Sequence, residues 1–248
     1  MNKHQRQGGE PADQTTLPDD IGSELSRITT EVIDVSDAPP IAPPAPLSPD
    51  EVRTILMSLL LTMFLAALDQ TIVGPALPVV VTDLAGNEIY VWAVTIYLLT
   101  STIGVPFWGK LSDLYGRKPM FMLGIVIFLI GSALSGLSQN MGQLIGFRGL
   151  QGIGAGSLFP VALAVIGDLF TPAERGRYQG LFGAVFGIAF IVGPLVGGFL
   201  TESISWHWIF YVNVPIGLVS LYFIWRLLPV VRNPRATRSF DILGGLIF

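Results

Sequence analysis

Residues 109–119 read GKLSDLYGRKP. This turn carries three basic side chains, Lys110, Arg117 and Lys118, with one acid, Asp113, and it lies between two apolar stretches too long for a soluble core. Long apolar runs joined by a short basic turn are the pattern of neighbouring membrane spans, since about 20 apolar residues are needed to cross a hydrocarbon layer ~30 Å thick. Working outward, apolar runs recur at residues 55–77, 90–108, 120–137, 141–166, 178–200 and 209–228. An all-α membrane protein with six spans is expected, because in lipid a helix satisfies its own backbone.

Composition agrees: 51% of residues are hydrophobic, 13% are charged, and there are 28 glycines, as expected where helices pack closely in a bilayer. The net charge of −4 is unevenly spread. Residues 1–50 hold nine acids against Lys3, Arg6 and Arg27, whereas the remainder holds eleven basic side chains against nine acids. Nothing here points to a nucleic-acid partner. Cysteine is absent, which removes disulfides and thiol chemistry.

Residues 1–50 also hold eight prolines and no apolar run, so they cannot bury enough surface to offset ordering entropy. They are expected to be a disordered acidic tail, and with no apolar core after a basic start they lack the features of a cleaved signal peptide. The six-span bundle is expected over residues 51–230. Residues 231–248 are expected to form a basic loop and, from DILGGLIF at 241–248, the start of a seventh span.

Orientation follows from the distribution of Lys and Arg between loops. Arg53, the 109–119 turn, Arg175, Arg177, Arg226, Arg232, Arg235 and Arg238 fall on one side, and the loops near 83–88, 139 and 202–207 carry no Lys or Arg. Both termini are therefore expected in the cytoplasm. Tyr90, Trp92, Trp108, Trp206, Trp208 and Tyr211 sit at span ends, where interfacial aromatic anchors belong.

Two ionisable residues lie inside the spans, Asp69 and Arg148. Asp69 is about fourteen residues, ~21 Å, into span one, and Arg148 about seven residues, ~10 Å, below the opposite start of span four, so both fall at a similar depth. Intramembrane charges face the bundle interior and mark ion pathways. Desolvation favours the neutral acid and a nearby guanidinium favours the carboxylate, so a change in their pairing can load or release a proton. The alternative is structural: a static ion pair, or a carboxylate capping a span broken at Pro75 and Pro78.

Small residues recur four apart at Gly152 and Gly156, Gly183 and Gly187, and Gly193 and Gly197, a spacing that permits close helix crossing. Pro194 gives span five a place to bend. Gly104, Gly109 and Lys110 match the spacing of a phosphate-binding loop, but Leu111 stands where a magnesium-binding hydroxyl is needed and Gly104 lies within a span. GIGAG at 152–156 likewise lies mid-span. No cofactor, metal cluster or catalytic constellation is expected.

Four motifs resemble the major facilitator superfamily, most closely its multidrug/proton antiporter branch with fourteen spans. LDQTIVGPALP at 68–78 resembles that branch's span-one motif, with Gly74 and Pro75 as departures, and GKLSDLYGRKP matches the superfamily signature between spans two and three. RGLQGIGAG at 148–156 resembles the span-four motif. GPLVGG at 193–198 resembles the antiporter motif of span five, with Ala189 where a further glycine is usual, and SWHWIFYVNVPIG at 205–217 also belongs to the likeness.

The resemblance implies roles residue by residue. Asp69 and Arg148 would couple transport to protons, with Gln151 and Gly152 in the span-four motif. Gly109, Asp113, Gly116, Arg117 and Lys118 would form the cytoplasmic gate, the two glycines permitting its tight turn. Gly193, Pro194, Gly197 and Gly198 would form the antiporter motif. A carrier of this kind rocks two six-helix halves about a central site, so the chain reads as the N-terminal half of a longer plasma-membrane exporter of amphipathic or drug-like molecules. The missing C-terminal half, or a second copy of the chain, would be its partner, with protons, substrate and membrane lipid as further partners. The alternatives are export of one defined metabolite, or a non-transporting membrane fragment that associates with other carriers.

Overall fold

The computed structural model describes residues 48–228, and all of its regular structure is helical. The acidic tail expected at 1–50 falls outside the described residues apart from residues 48–50, as does the basic loop and seventh-span start expected at 231–248. The helices are α1 (Pro49–Asp83), α2 (Val91–Tyr115), α3 (Arg117–Gly136), α4 (Met141–Leu169), α5 (Pro172–Ser203), α6 (Trp208–Tyr211) and α7 (Asn213–Leu227). They supply six spans long and apolar enough to cross a membrane, α6 and α7 together making the sixth.

Most helices outrun the expected apolar runs because polar caps carry them past the lipid-crossing portion. At the start of α1, Glu51 N–H donates to Ser48 Oγ and Ser48 N–H donates to the Glu51 carboxylate at 2.8 Å. Thr171 and Glu174 repeat this reciprocal cap at α5, satisfying donors that a helix start leaves unpaired. The break in span one supposed by the structural alternative is absent: α1 runs through Pro75 and Pro78. Span six instead divides at Val212, where Pro215 has no N–H to offer the Tyr211 carbonyl.

Neighbours in sequence are not the main neighbours in space. α1 packs chiefly against α5 and α7, and α4 against α2 and α3, with α3 meeting α7 where the two groups join. Exchanging α1 with α4, α2 with α5 and α3 with α7 maps this contact pattern onto itself. At the α2–α4 crossing a methyl on Gly152 or Gly156 would overlap the backbone of Tyr97 or Ser101, and on Gly193 or Gly197 it would overlap Thr71 or Ile72 of α1. Gly183 and Gly187, expected to act alike, have nothing within contact distance of an added methyl.

Two apolar clusters fill the interior. One contains Leu59, Met63, Phe121, Phe128, Leu158 and Val165; the other contains Ile72, Ala76, Val80, Leu144, Ile209 and Phe210. On α1, α4 and the α6–α7 span the chain passes from one cluster to the other, and buried polar residues lie between them: Asp69, Arg148 with Gln151, and Asn213. Two expected interfacial anchors turn inward instead. Trp108 is buried and donates its indole N–H to the Ile153 carbonyl at 2.7 Å, while buried Trp206 donates to Asp83 at 2.8 Å. Each indole thus has an acceptor within the protein.

Candidate functional site

The polar layer between the clusters is built around Asp69, which is 0% exposed. Arg148 donates to Asp69 Oδ2 at 2.9 Å, closing an ion pair between α1 and α4. The other carboxylate oxygen, Oδ1, accepts from Gln151 Nε2 at 2.7 Å and from Asn213 Nδ2 at 2.8 Å. Arg148 also donates to Gln151 Oε1 at 3.0 Å, and its guanidinium lies over the Tyr97 ring, 4.0 Å from the centroid. Such pairing is what a charge needs at a depth where water is scarce. The carboxylate therefore reads three other helices at once: Arg148 and Gln151 from α4, Asn213 from α7 and, through Arg148, Tyr97 from α2.

Chain geometry explains the convergence. Arg148 and Gln151 are three residues apart and so share a face of α4. Gly152, next to them, lets α2 approach until the Thr100 hydroxyl reaches the Gly149 carbonyl at 3.0 Å, and this brings Tyr97 beneath the guanidinium. Gly193 and Gly197 do the same for α5 against α1, beside Thr71, whose hydroxyl lies 3.0 Å from the Ala189 carbonyl. Pro194 lies inside an unbroken α5, and Gly198 has no close neighbour.

At the end of the bundle where α2 meets α3, the 109–119 turn holds a second charged group. Arg117 pairs with Asp113 on α2 and with Asp168 Oδ2 at 2.9 Å on α4, and it donates to Ser112 Oγ at 2.8 Å. One guanidinium thus ties three helices. Gly116 alone links α2 to α3, with φ 100° and ψ 150°, a backbone region that a Cβ excludes. The expectation that Gly109 shares in the turn is corrected: it lies inside α2, six residues before that helix ends, and a Cβ there would meet nothing. Lys118 is half-buried in the first turn of α3. Beside the network, Arg175 donates to the Gly167 and Phe170 carbonyls and closes the end of α4.

Sequence reasoning missed Asp168, Asn213 and Tyr97. Asp168 had a signal: an acid in the last turn of α4 opposes the helix dipole and needs a cation nearby. Asn213 had one too, as an amide inside an apolar span. Tyr97 had none, since an aromatic residue in a membrane helix is ordinary. Also unforeseen is a cleft of about 430 Å³ between α4 and α5, lined by Phe159, Leu163, Gln179, Phe182, Gly183 and Phe186.

Six membrane-capable helices crossed by a buried ion pair, with a charge-braced turn at one end, describe a multi-pass membrane protein of the transporter class. The profile of the Major Facilitator Superfamily matches residues 59–244, and the chain belongs to that family. It is 49% identical over 193 residues to the multidrug transporter protein MdtP of Bacillus subtilis (strain 168), covering 77% of this chain and 36% of that protein. It is 51% identical over 174 residues to multidrug resistance protein 3 of the same organism, covering 70% of this chain and 34% of that one. The chain thus spans about a third of the length of these relatives. Among solved structures, the proton:xylose symporter XylE superposes with a TM-score of 0.66 at 17% identity, over 73% of this chain and 46% of the symporter. That likeness concerns the fold.

Proposed function

We propose that the chain is the N-terminal half of a proton-coupled exporter of amphipathic, drug-like molecules in the plasma membrane, with both its ends on the cytoplasmic side. The carrying observation is the Asp69–Arg148 pair, fully buried yet held at 2.9 Å between two helices that belong to different packing groups. A carboxylate in that position is stable while paired. When α1 and α4 shift relative to each other, the pair weakens and the acid takes a proton, and when they return the proton leaves. The relatives named multidrug transporter protein and multidrug resistance protein, at about half identity, support export of varied small molecules as the transported task.

In this reading the Arg117 group latches α2, α3 and α4 together at the cytoplasmic end during one half of the cycle and parts during the other. Gly193 and Gly197 let α5 ride closely on α1 near Asp69. The α4–α5 cleft, with three phenylalanines and the one amide of Gln179, suits an apolar ring system with few polar groups. Substrate would pass between this half and a second six-helix unit.

The test uses the carrier that contains this chain, in vesicles with an imposed pH gradient and a fluorescent lipophilic cation as substrate. Asp69→Asn is expected to abolish gradient-driven transport while the protein still inserts. Full activity in that variant would overturn the assignment. Orientation is tested separately, because the cysteine-free chain accepts single cysteines at 110 and at 139: only the second is expected to react with an impermeant maleimide applied outside.

A further inference from the structure

The two amides that hold Asp69 are used differently. Gln151 has both ends engaged, its oxygen by Arg148 and its nitrogen by Asp69. Asn213 donates its nitrogen to Asp69 Oδ1 at 2.8 Å and to Ser132 Oγ at 3.0 Å, but its own oxygen is buried without any hydrogen-bond partner. Buried acceptors are almost always satisfied, and Asn213 is 0% exposed. An amide whose donor end is saturated while its acceptor end is idle is suited to a carboxylate. Turned half a revolution about its last side-chain bond, the same group suits a carboxylic acid.

We propose that Asn213 reads the protonation state of Asp69 by this turn, an inference that rests on the proton-coupling role given to Asp69 above. In the charged state the Asn213 N–H donates to Oδ1. When Oδ1 takes a proton it becomes a donor, and a facing N–H would oppose it. The amide turns, its oxygen accepts the new O–H, and its nitrogen moves to the side where the oxygen was idle.

The turn also changes what Ser132 meets. Its hydroxyl now accepts from Asn213 and donates to the Phe210 carbonyl at 2.9 Å. With an amide oxygen in front of it, the hydroxyl swings to donate to Asn213 and releases Phe210. Phe210 lies in α6, two residues before the helix divides at Val212, so proton uptake on α1 is transmitted to the joint of span six. The charged and titratable groups facing Asp69 are Arg148 from α4 and Tyr97 from α2. α3 brings Ser132, α7 brings Asn213, and α5 carries its charges, Glu174, Arg175, Arg177 and Glu202, in its end turns.

The chain in lipid nanodiscs provides the test. Infrared difference spectra taken across a pH titration report the carbonyl stretch of protonated Asp69, identified by its loss in Asp69→Asn. Nitrogen-15 spectra report the Asn213 side-chain amide, identified by its loss in Asn213→Leu or, should that variant not fold, in Asn213→Ser. The expected result is one shared midpoint for the two signals. In Asn213→Leu the Asp69 band is expected to move to the higher frequency of a less hydrogen-bonded acid, and in Asn213→Ser, whose hydroxyl can still turn, to move less. An Asp69 band that titrates while the Asn213 amide stays still overturns the inference and leaves the coupling role standing. An Asp69 band that never appears overturns both.

Discussion

Replacing Arg148 by Met leaves the buried carboxylate of Asp69 without the countercharge that lies 2.9 Å away. Removing one partner of a buried pair costs about 3–5 kcal/mol, which is roughly two to four decades in the unfolding equilibrium. Asp69→Asn strands the guanidinium instead. That cation keeps Gln151 Oε1 at 3.0 Å and the Tyr97 ring at 4.0 Å, so it is less isolated and this variant should lose less than Arg148→Met. In the double variant no charge is buried. The carbonyl oxygen of the new asparagine takes the place of Oδ1 and keeps the donors of Gln151 and Asn213, while its N–H₂ points into space the guanidinium has vacated. The double variant should therefore lie within about 2 kcal/mol of the parent, well short of the summed single losses. Unfolding of each chain from mild detergent by rising dodecyl sulfate, followed by far-ultraviolet circular dichroism, measures the cycle. Additive losses, or an Arg148→Met cost below about 1 kcal/mol, would refute the reasoning.

Three further outcomes follow from other parts of the bundle. Arg117→Gln removes ion pairs whose acids are about half exposed, so thermal unfolding should change by about 1 kcal/mol or less, while gradient-driven transport by the carrier should fall sharply; unchanged transport would deny the latch its role. Gly116→Ala places a Cβ at φ 100° and should cost about 1–3 kcal/mol, measured by the same denaturation. Gly154→Ala sets a methyl against the Phe128 backbone and 2.7 Å from the Gly124 carbonyl, whereas Gly183→Ala enters open space. The gain in helix propensity is common to both and cancels, so Gly154→Ala should be the less stable by about 1–3 kcal/mol.

Span number and kind were legible because hydropathy and length act on the whole run, with no need to know any neighbour. The equal depth of Asp69 and Arg148 was legible by counting residues, but their contact was not. It depends on α1 and α4 lying side by side, which the chain order does not state. Asn213 escaped because one amide in an apolar span has many possible uses and only its partner across the bundle selects among them. Trp108 and Trp206 were misjudged for a related reason: an indole at a span end is pulled equally by the interface and by a well-placed acceptor, here the Ile153 carbonyl and Asp83. Gly109 and Gly116 stand seven apart in one motif, yet only the backbone angle at Gly116 separates the residue that makes the turn from the one that does not.

The wide separation of the paired charges bears on how the protein is made. Asp69 precedes Arg148 by 79 residues. A ribosome adding about 5–20 residues per second completes span one several seconds before the arginine that neutralises its acid exists. Asn213 follows later still, at 144 residues from Asp69. During synthesis span one is therefore a helix with an unanswered carboxylate, which favours its retention beside the insertion machinery until span four arrives. A nascent chain stalled before span four should remain crosslinkable to that machinery through span one, and one stalled after it should not.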